Sequence, residues 1–283
     1  IMHIAMAYLE AGDETLIPNP GYPTYQAACA LAGATILPYE LSEKTDWLPD
    51  LEALELRDLS KVKIMWVNYP HMPTGAKANR AFFVRLKNFA QKHSILLVND
   101  NPYSFILNDE PLSMLAIPGM MEVGIELNSL SKSHNMAGWR IGALLGKSEF
   151  LNPVLKFKSN MDSGMFLPLQ LAAVEALSAE ITWFEQQNTI YKSRQKLVFE
   201  LLDLLACTYD HAQSGMFVWA KIPDYYNSGY ELSDQILIEN AVFITPGGIF
   251  GSQGNEYIRI SLCAKEDIFK EVIQRIKSKS NGI

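Results

Sequence analysis

Short apolar runs and helical periodicities alternate along the first half of the chain. Thr15-Leu-Ile-Pro, Ala34-Thr-Ile-Leu-Pro-Tyr, Val62-Lys-Ile-Met-Trp-Val-Asn, Ile95-Leu-Leu-Val-Asn-Asp and Gly124-Ile-Glu-Leu-Asn read as strands. Several are apolar at consecutive positions, which suits strands covered on both faces within a mostly parallel sheet. Between them, Tyr25 to Leu31 and Arg80 to His93 carry helical spacing. Helices alternating with such strands predict an α/β layer architecture with helices on both faces of the sheet. At the start, Ile1, Ile4, Ala5, Tyr8 and Leu9 share one helical face and Gly12 is a stop signal. That helix has no capping residue, as in a chain that begins inside an element.

After Leu144 the pattern changes. Glu149 to Leu205 is mostly helical, with Pro153 and Pro168 marking helix starts or bends. Beyond it, Met216-Phe-Val-Trp-Ala-Lys-Ile and Tyr257-Ile-Arg-Ile-Ser-Leu alternate as half-buried strands. Tyr230 to Asn240 reads as a helix and Glu266 to Lys279 as a closing one. The expected division is a larger domain over residues 1–175 and a smaller C-terminal α+β domain over 176–283. No internal repeat and no low-complexity segment interrupts this order.

Composition narrows the function classes. With 48% hydrophobic and 19% charged residues over 283 positions, the chain is of ordinary globular type. Its net charge of -7 offers no electrostatic reason to bind nucleic acid or an anionic membrane. No apolar run approaches the roughly 20 residues that span a bilayer, and the start lacks the order of a signal peptide. Cys29, Cys207 and Cys263 are scattered and odd in number, which favours a reducing cytoplasm over a disulfide framework.

The chemistry gathers at strand ends. Asn19-Pro-Gly-Tyr-Pro-Thr-Tyr, Asn68-Tyr-Pro-His-Met-Pro-Thr-Gly, Asp100-Asn-Pro-Tyr103 and Ser129-Leu-Ser-Lys132 each follow an expected strand. In open α/β sheets ligands bind outside the carboxyl ends of the strands. Lys132 lies in a polar turn between two strands, among Ser129, Ser131 and Ser133, with Arg140 eight positions on. A lysine beside hydroxyls and a guanidinium suits Schiff-base chemistry with a phosphorylated aldehyde cofactor. The histidines show no metal-ligand spacing, and His134 is the one placed to approach the site. Neither a phosphate loop ending in Gly-Lys-Ser/Thr nor a Gly-x-Ser-x-Gly elbow occurs.

On these motifs the chain resembles the fold-type I, pyridoxal-phosphate-dependent aminotransferases of class I/II, over essentially its whole length. The resemblance implies that Lys132 forms the Schiff base with pyridoxal 5′-phosphate and moves the proton at the substrate α-carbon. It implies that Ser129 and Arg140, with Ser131 as a further contributor, hold the phosphate. Asp100 then pairs with the pyridine nitrogen, Tyr103 bonds the 3′-oxygen, and Tyr22 stacks on the ring. Arg259 grips the substrate α-carboxylate, and Pro246-Gly-Gly-Ile-Phe-Gly shapes the site. An amino acid and a 2-oxo acid are the implied substrates, and a cytoplasmic homodimer the implied assembly.

Two departures stand out. The family pattern Asn-Pro-Thr-Gly, whose asparagine donates to the cofactor's 3′-oxygen, reads Met72-Pro-Thr-Gly here. Methionine cannot donate that bond, and Asn68 and His71 are the candidates to compensate. The N-terminal part of the family pattern, with its glycine-containing phosphate loop and a tyrosine donated across the dimer, does not precede Ile1. A lyase or decarboxylase of the same fold, or a degenerate binding protein, are the rival expectations.

Overall fold

The computed structural model describes residues 1–280; residues 281–283, the end of the expected C-terminal domain, lie outside them. Strands β1 (Glu14–Asn19), β2 (Thr35–Glu40), β3 (Val62–Val67), β4 (Leu96–Asp100), β5 (Gly124–Ser129) and β6 (Gly142–Leu145) form one sheet. Their order is β2-β1-β3-β4-β5-β6. The pairs from β2 through β5 are parallel, and β6 returns antiparallel to β5. The helices interleaved with and following them are α1 (Met2–Tyr8), α2 (Pro23–Leu31), α3 (Leu51–Glu55), α4 (Arg80–His93), α5 (Leu130–Ser133), α6 (Ser148–Met161), α7 (Leu167–Leu177) and α8 (Ile181–Leu204).

The consecutive apolar residues of the central strands are explained by burial on both faces. Met65, Val67 and Leu97 pack with Phe82, Phe83, Leu86 and Phe89 of α4. Their neighbours Ile64, Trp66 and Val98 point the other way, onto Ile4 of α1 and Tyr25 and Ala28 of α2. Strand side chains alternate between faces, so a strand covered on both sides must be apolar at every position. α4 is delimited by local chemistry. The Asn79 side chain accepts the Phe82 N–H at 2.8 Å, and Lys92 and His93 complement the helix C-terminus before Ser94 turns left-handed.

Three details depart from the pattern. The five-residue α3, capped by Asp50, is too short to show a helical period. The polar turn around Lys132 closes into one helical turn, α5. The second of the two strands flanking the Lys132 turn starts only at Gly142, because Arg140 adopts φ 54° and breaks the extended run. Pro153 sits inside α6, and Pro168 in the first turn of α7, where it suits a helix start.

The rest of the chain builds a second sheet from β7 (Thr208–Tyr209), β8 (Phe217–Lys221), β9 (Thr245–Pro246) and β10 (Tyr257–Ser261), with α9 (Gly229–Asn240) and α10 (Glu266–Ser280). Its order is β7-β8-β10-β9, antiparallel throughout. Val218, Ile258 and Ile260 share a core with Val198 and Leu202 of α8 and Phe269 and Ile273 of α10. Met72 and Tyr103, from the ends of β3 and β4, are buried in that same core. The chemistry-bearing strand ends are therefore packed directly against the second sheet.

Candidate active site

One cavity of about 1150 Å³ opens at the carboxyl ends of β1, β3, β4 and β5. Tyr22, Asp100, Tyr103, Ser129, Ser131, Lys132, Arg140 and Arg259 all line it. Every site residue singled out in the sequence thus meets in one place, although they are spread over more than two hundred positions of chain.

Asp100 ends β4 at the floor. Its Oδ2 accepts the hydroxyl of Tyr25 at 2.8 Å, and its carbonyl accepts the Asn68 side-chain amide. Asn68 in turn accepts the Met72 N–H at 2.8 Å, so this amide links the β3 loop to β4. Burial raises the Asp100 carboxyl above its ordinary value, opposed by the Tyr25 hydroxyl. Burial also raises the Tyr103 phenol, and the Asp100 charge adds to the effect.

Lys132 is half-buried in α5. Ser129 caps that turn by accepting the Ser131 N–H at 3.2 Å. Leu130, Met136, Ile141 and Ala173 form a small apolar cluster beneath it. From α8, Trp183 donates to the Ser133 carbonyl at 3.1 Å and Gln187 accepts from Asn135 at 2.8 Å. The antiparallel return of β6 brings Arg140 back beside Lys132, with its Nη1 on the Ala137 carbonyl at 2.9 Å. Ser129, Ser131, Lys132 and Arg140 thus bring hydroxyls, an amine and a guanidinium fork to the same cavity wall, groups whose chemistry suits an anion.

Arg259, on β10, is held differently. Its guanidinium carbon lies 4.0 Å from the Phe217 ring centre and 4.4 Å from that of Phe250. Nη1 approaches the Met72 sulfur at 3.3 Å, and Nε is buried without a hydrogen-bond partner. Desolvation pulls its pKa down to about 10, yet at neutral pH it is a cation without a carboxylate partner among the described residues. Such a group is poised for an incoming anion, because a buried unpaired charge is costly until it is matched.

The loop after β1 is fastened to the glycine-rich loop before β10. Asn19 donates to Ser252 Oγ at 2.9 Å, and the Gly21 N–H donates to the Phe250 carbonyl at 2.8 Å. Gly251 has φ 133°, and a Cβ there would lie 2.1 Å from Asn19 Oδ1, so only glycine fits. The histidines fall otherwise than the sequence implies. His134 turns to Ser133 and the Phe184 ring, and His3 is the one that lines the cavity. His71 is buried with Nδ1 at 2.8 Å from Thr74 Oγ1, whereas Asn68 lines the cavity and spends one amide N–H on the Asp100 carbonyl and its oxygen on the Met72 N–H. Tyr25 and Phe250 lie inside quoted motifs without a role of their own in the sequence reading, and Phe217 reads there as an ordinary strand residue. Among the described residues no group of His, Cys, Asp and Glu is placed to hold a metal, and no helix is long and apolar enough to cross a membrane.

The sequence matches the Aminotransferase class I and II family over residues 1–276. The chain belongs to that family. It is 38% identical to an LL-diaminopimelate aminotransferase of Dehalococcoides mccartyi over 278 residues, covering 98% of this chain and 71% of the relative. A like-named protein of Halothermothrix orenii is also 38% identical, over 98% of this chain and 72% of its own length. Among solved structures, BacF from Bacillus subtilis superposes with a TM-score of 0.93 at 36% identity, covering 98% of this chain and 75% of that one. An aromatic aminotransferase from Pyrococcus horikoshii gives 0.91 at 27% identity, over 99% of this chain and 76% of that one. This aminotransferase is accordingly a pyridoxal-phosphate enzyme of the expected fold: a mostly parallel α/β sheet with a separate antiparallel sheet.

The residues present fit that cofactor. Asp100 keeps one carboxylate oxygen without a donor among the described residues, and two serine hydroxyls and Arg140 flank a primary amine. When bound, pyridoxal 5′-phosphate supplies an electron sink for the electron pair left at the substrate α-carbon.

Proposed function

We propose a division of labour within the cavity for transamination between an L-amino acid and a 2-oxo acid. Ser129, Ser131 and Arg140 hold the cofactor phosphate. Asp100 faces the ring nitrogen and keeps it protonated, Tyr22 lies against the ring, and Tyr103 donates to its 3′-oxygen. Arg259 grips the substrate carboxylate, so that the α-hydrogen points to Lys132. The Lys132 amine would take that proton from the α-carbon and deliver it to the cofactor's aldehyde carbon, on the far side of the shared nitrogen. The observation that carries this reading is the convergence of all eight residues on one cavity, with Arg259 half-buried and its Nε unpartnered.

Purified protein mixed with pyridoxal phosphate is expected to show the absorption band of lysine-bound cofactor, and Lys132→Ala to lose it. A band that survives the substitution overturns the assignment of Lys132. A panel containing diaminopimelate, acidic, aromatic and small neutral amino acids then locates the substrate. Diaminopimelate enters because of what the similar proteins are named. Binding without turnover on any member sinks the transferase reading.

Assembly as a cytoplasmic homodimer completes the proposal. Phe166, Leu167, Leu171 and Val174 are exposed next to Met165, which lines the cavity. An apolar strip of this kind suits burial against a second copy. The three cysteines are unpaired, in keeping with a reducing compartment. A domain boundary near residue 175 is supported by the core of the second sheet, whose α8 members start at Tyr191.

A further inference from the structure

Asp100 is addressed by a residue to which the sequence motifs assign no role. Tyr25 is 1% exposed and donates its hydroxyl to Asp100 Oδ2 at 2.8 Å. Its ring is stacked on Trp66, with centres 5.1 Å apart and planes 14° apart. On another side it meets Tyr22 edge-on, at 5.6 Å and 83°. A ring clamped in this way fixes the position of its phenol oxygen beside Asp100 Oδ2, because rotation about its own axis leaves the oxygen in place.

We propose that Tyr25 is the positioning residue for Asp100: it ties down one carboxylate oxygen and thereby leaves the other to meet the cofactor's ring nitrogen. This rests on the reading of Asp100 given above. The same tyrosine braces Tyr22, so one side chain of α2 sets both the group beside the ring and the group at its nitrogen.

The chemistry of a phenol suits the task. Burial, reinforced by the Asp100 charge, holds the Tyr25 pKa well above its ordinary value, so it remains a donor throughout the working pH range. The titratable side chains acting on Asp100 are Tyr25 from α2 and Tyr103 from its own loop. Only Tyr25 among them makes a hydrogen bond to the carboxylate. Hydrogen bonding to the charged form lowers a carboxyl pKa, against the upward pull of burial.

The test is a carbon-13 NMR titration of the aspartate carboxyls in cofactor-free protein, with Asp100→Asn assigning the resonance. Tyr25→Phe keeps both ring contacts and removes only the donor. The Asp100 midpoint is expected to rise by about one pH unit. Tyr39→Phe is the control, since it deletes another buried hydroxyl, one that donates to the Trp66 carbonyl at 2.6 Å; it should leave the midpoint in place. An unchanged midpoint in Tyr25→Phe, or an equal rise in the control, overturns the proposal. If Tyr25→Phe does not fold, 3-fluorotyrosine at position 25 is a stronger donor of the same shape and must lower the midpoint.

Cofactor affinity separates this inference from the reading beneath it. Tyr25→Phe is expected to weaken pyridoxal phosphate binding about ten-fold while leaving untouched the binding of a carbocyclic analogue without the ring nitrogen. A shifted midpoint with equal losses for both ligands sustains the Tyr25–Asp100 link but overturns the placing of Asp100 at the nitrogen.

Discussion

Met72 stands where the family pattern has an asparagine, and its sulfur meets Arg259 rather than offering a proton to anything. An amide at this position would add a donor worth about 1 kcal/mol, a roughly five-fold gain in cofactor affinity. Met72→Asn is therefore expected to lower the pyridoxal phosphate Kd by that factor in an absorbance titration. Because Met72 is buried in the second sheet's core, the same variant should melt at lower temperature, and calorimetry separates the two effects. Arg259→Lys tests the carboxylate grip. Lysine keeps the charge but loses the planar fork and its seat between two rings, so KM should rise about ten-fold or more with a smaller change in kcat. Lys132, Arg140 and Asp100 were legible because their chemistry is written in residue type and spacing. Tyr25 and Phe250 were not, for their roles depend on which partner lies across the fold.

At the scale of elements, the loop after β3 carries a pH dependence. His71 is buried there, and desolvation lowers its pKa to about 3. The unfolded chain binds its proton near 6.5 and the folded one does not. Stability from this group is thus full above pH 6.5 and is lost as pH falls toward 3, by up to about 1.4 kcal/mol per unit. Urea unfolding between pH 7 and 5 should show this slope, and His71→Gln should flatten it. The glycine-rich loop makes a second prediction: Gly251→Ala forces a methyl onto Asn19 at a positive φ and should cost about 1–3 kcal/mol, read in the same unfolding assay. The strands of this region follow from consecutive apolar residues, which only two-sided burial explains. α3 and α5 did not follow, since one helical turn is too short to display a period. Nor was the fastening of Asn19 to Ser252 visible, because it joins residues 233 positions apart.

At the scale of the whole molecule, the class of architecture was readable from alternation, but the strand order and the antiparallel return of β6 were not. Those are settled by which faces meet, a matter of three-dimensional packing that a linear pattern underdetermines. If the exposed strip from Phe166 to Val174 seats a second copy, replacing Leu171 and Val174 by glutamate should yield monomers in size-exclusion chromatography. The packing of the two sheets has an optical consequence as well. Trp219 stacks on Tyr257 at 5.0 Å, touches Phe250 at 6.1 Å between ring centres, and is met edge-on by Trp47 from the first half of the chain. Phe250 is also one wall of the Arg259 seat. An anion drawn into that seat is expected to disturb the surroundings of the Trp219 indole through Phe250, so substrate arrival should register as a fluorescence change in a stopped-flow instrument before any chemistry begins.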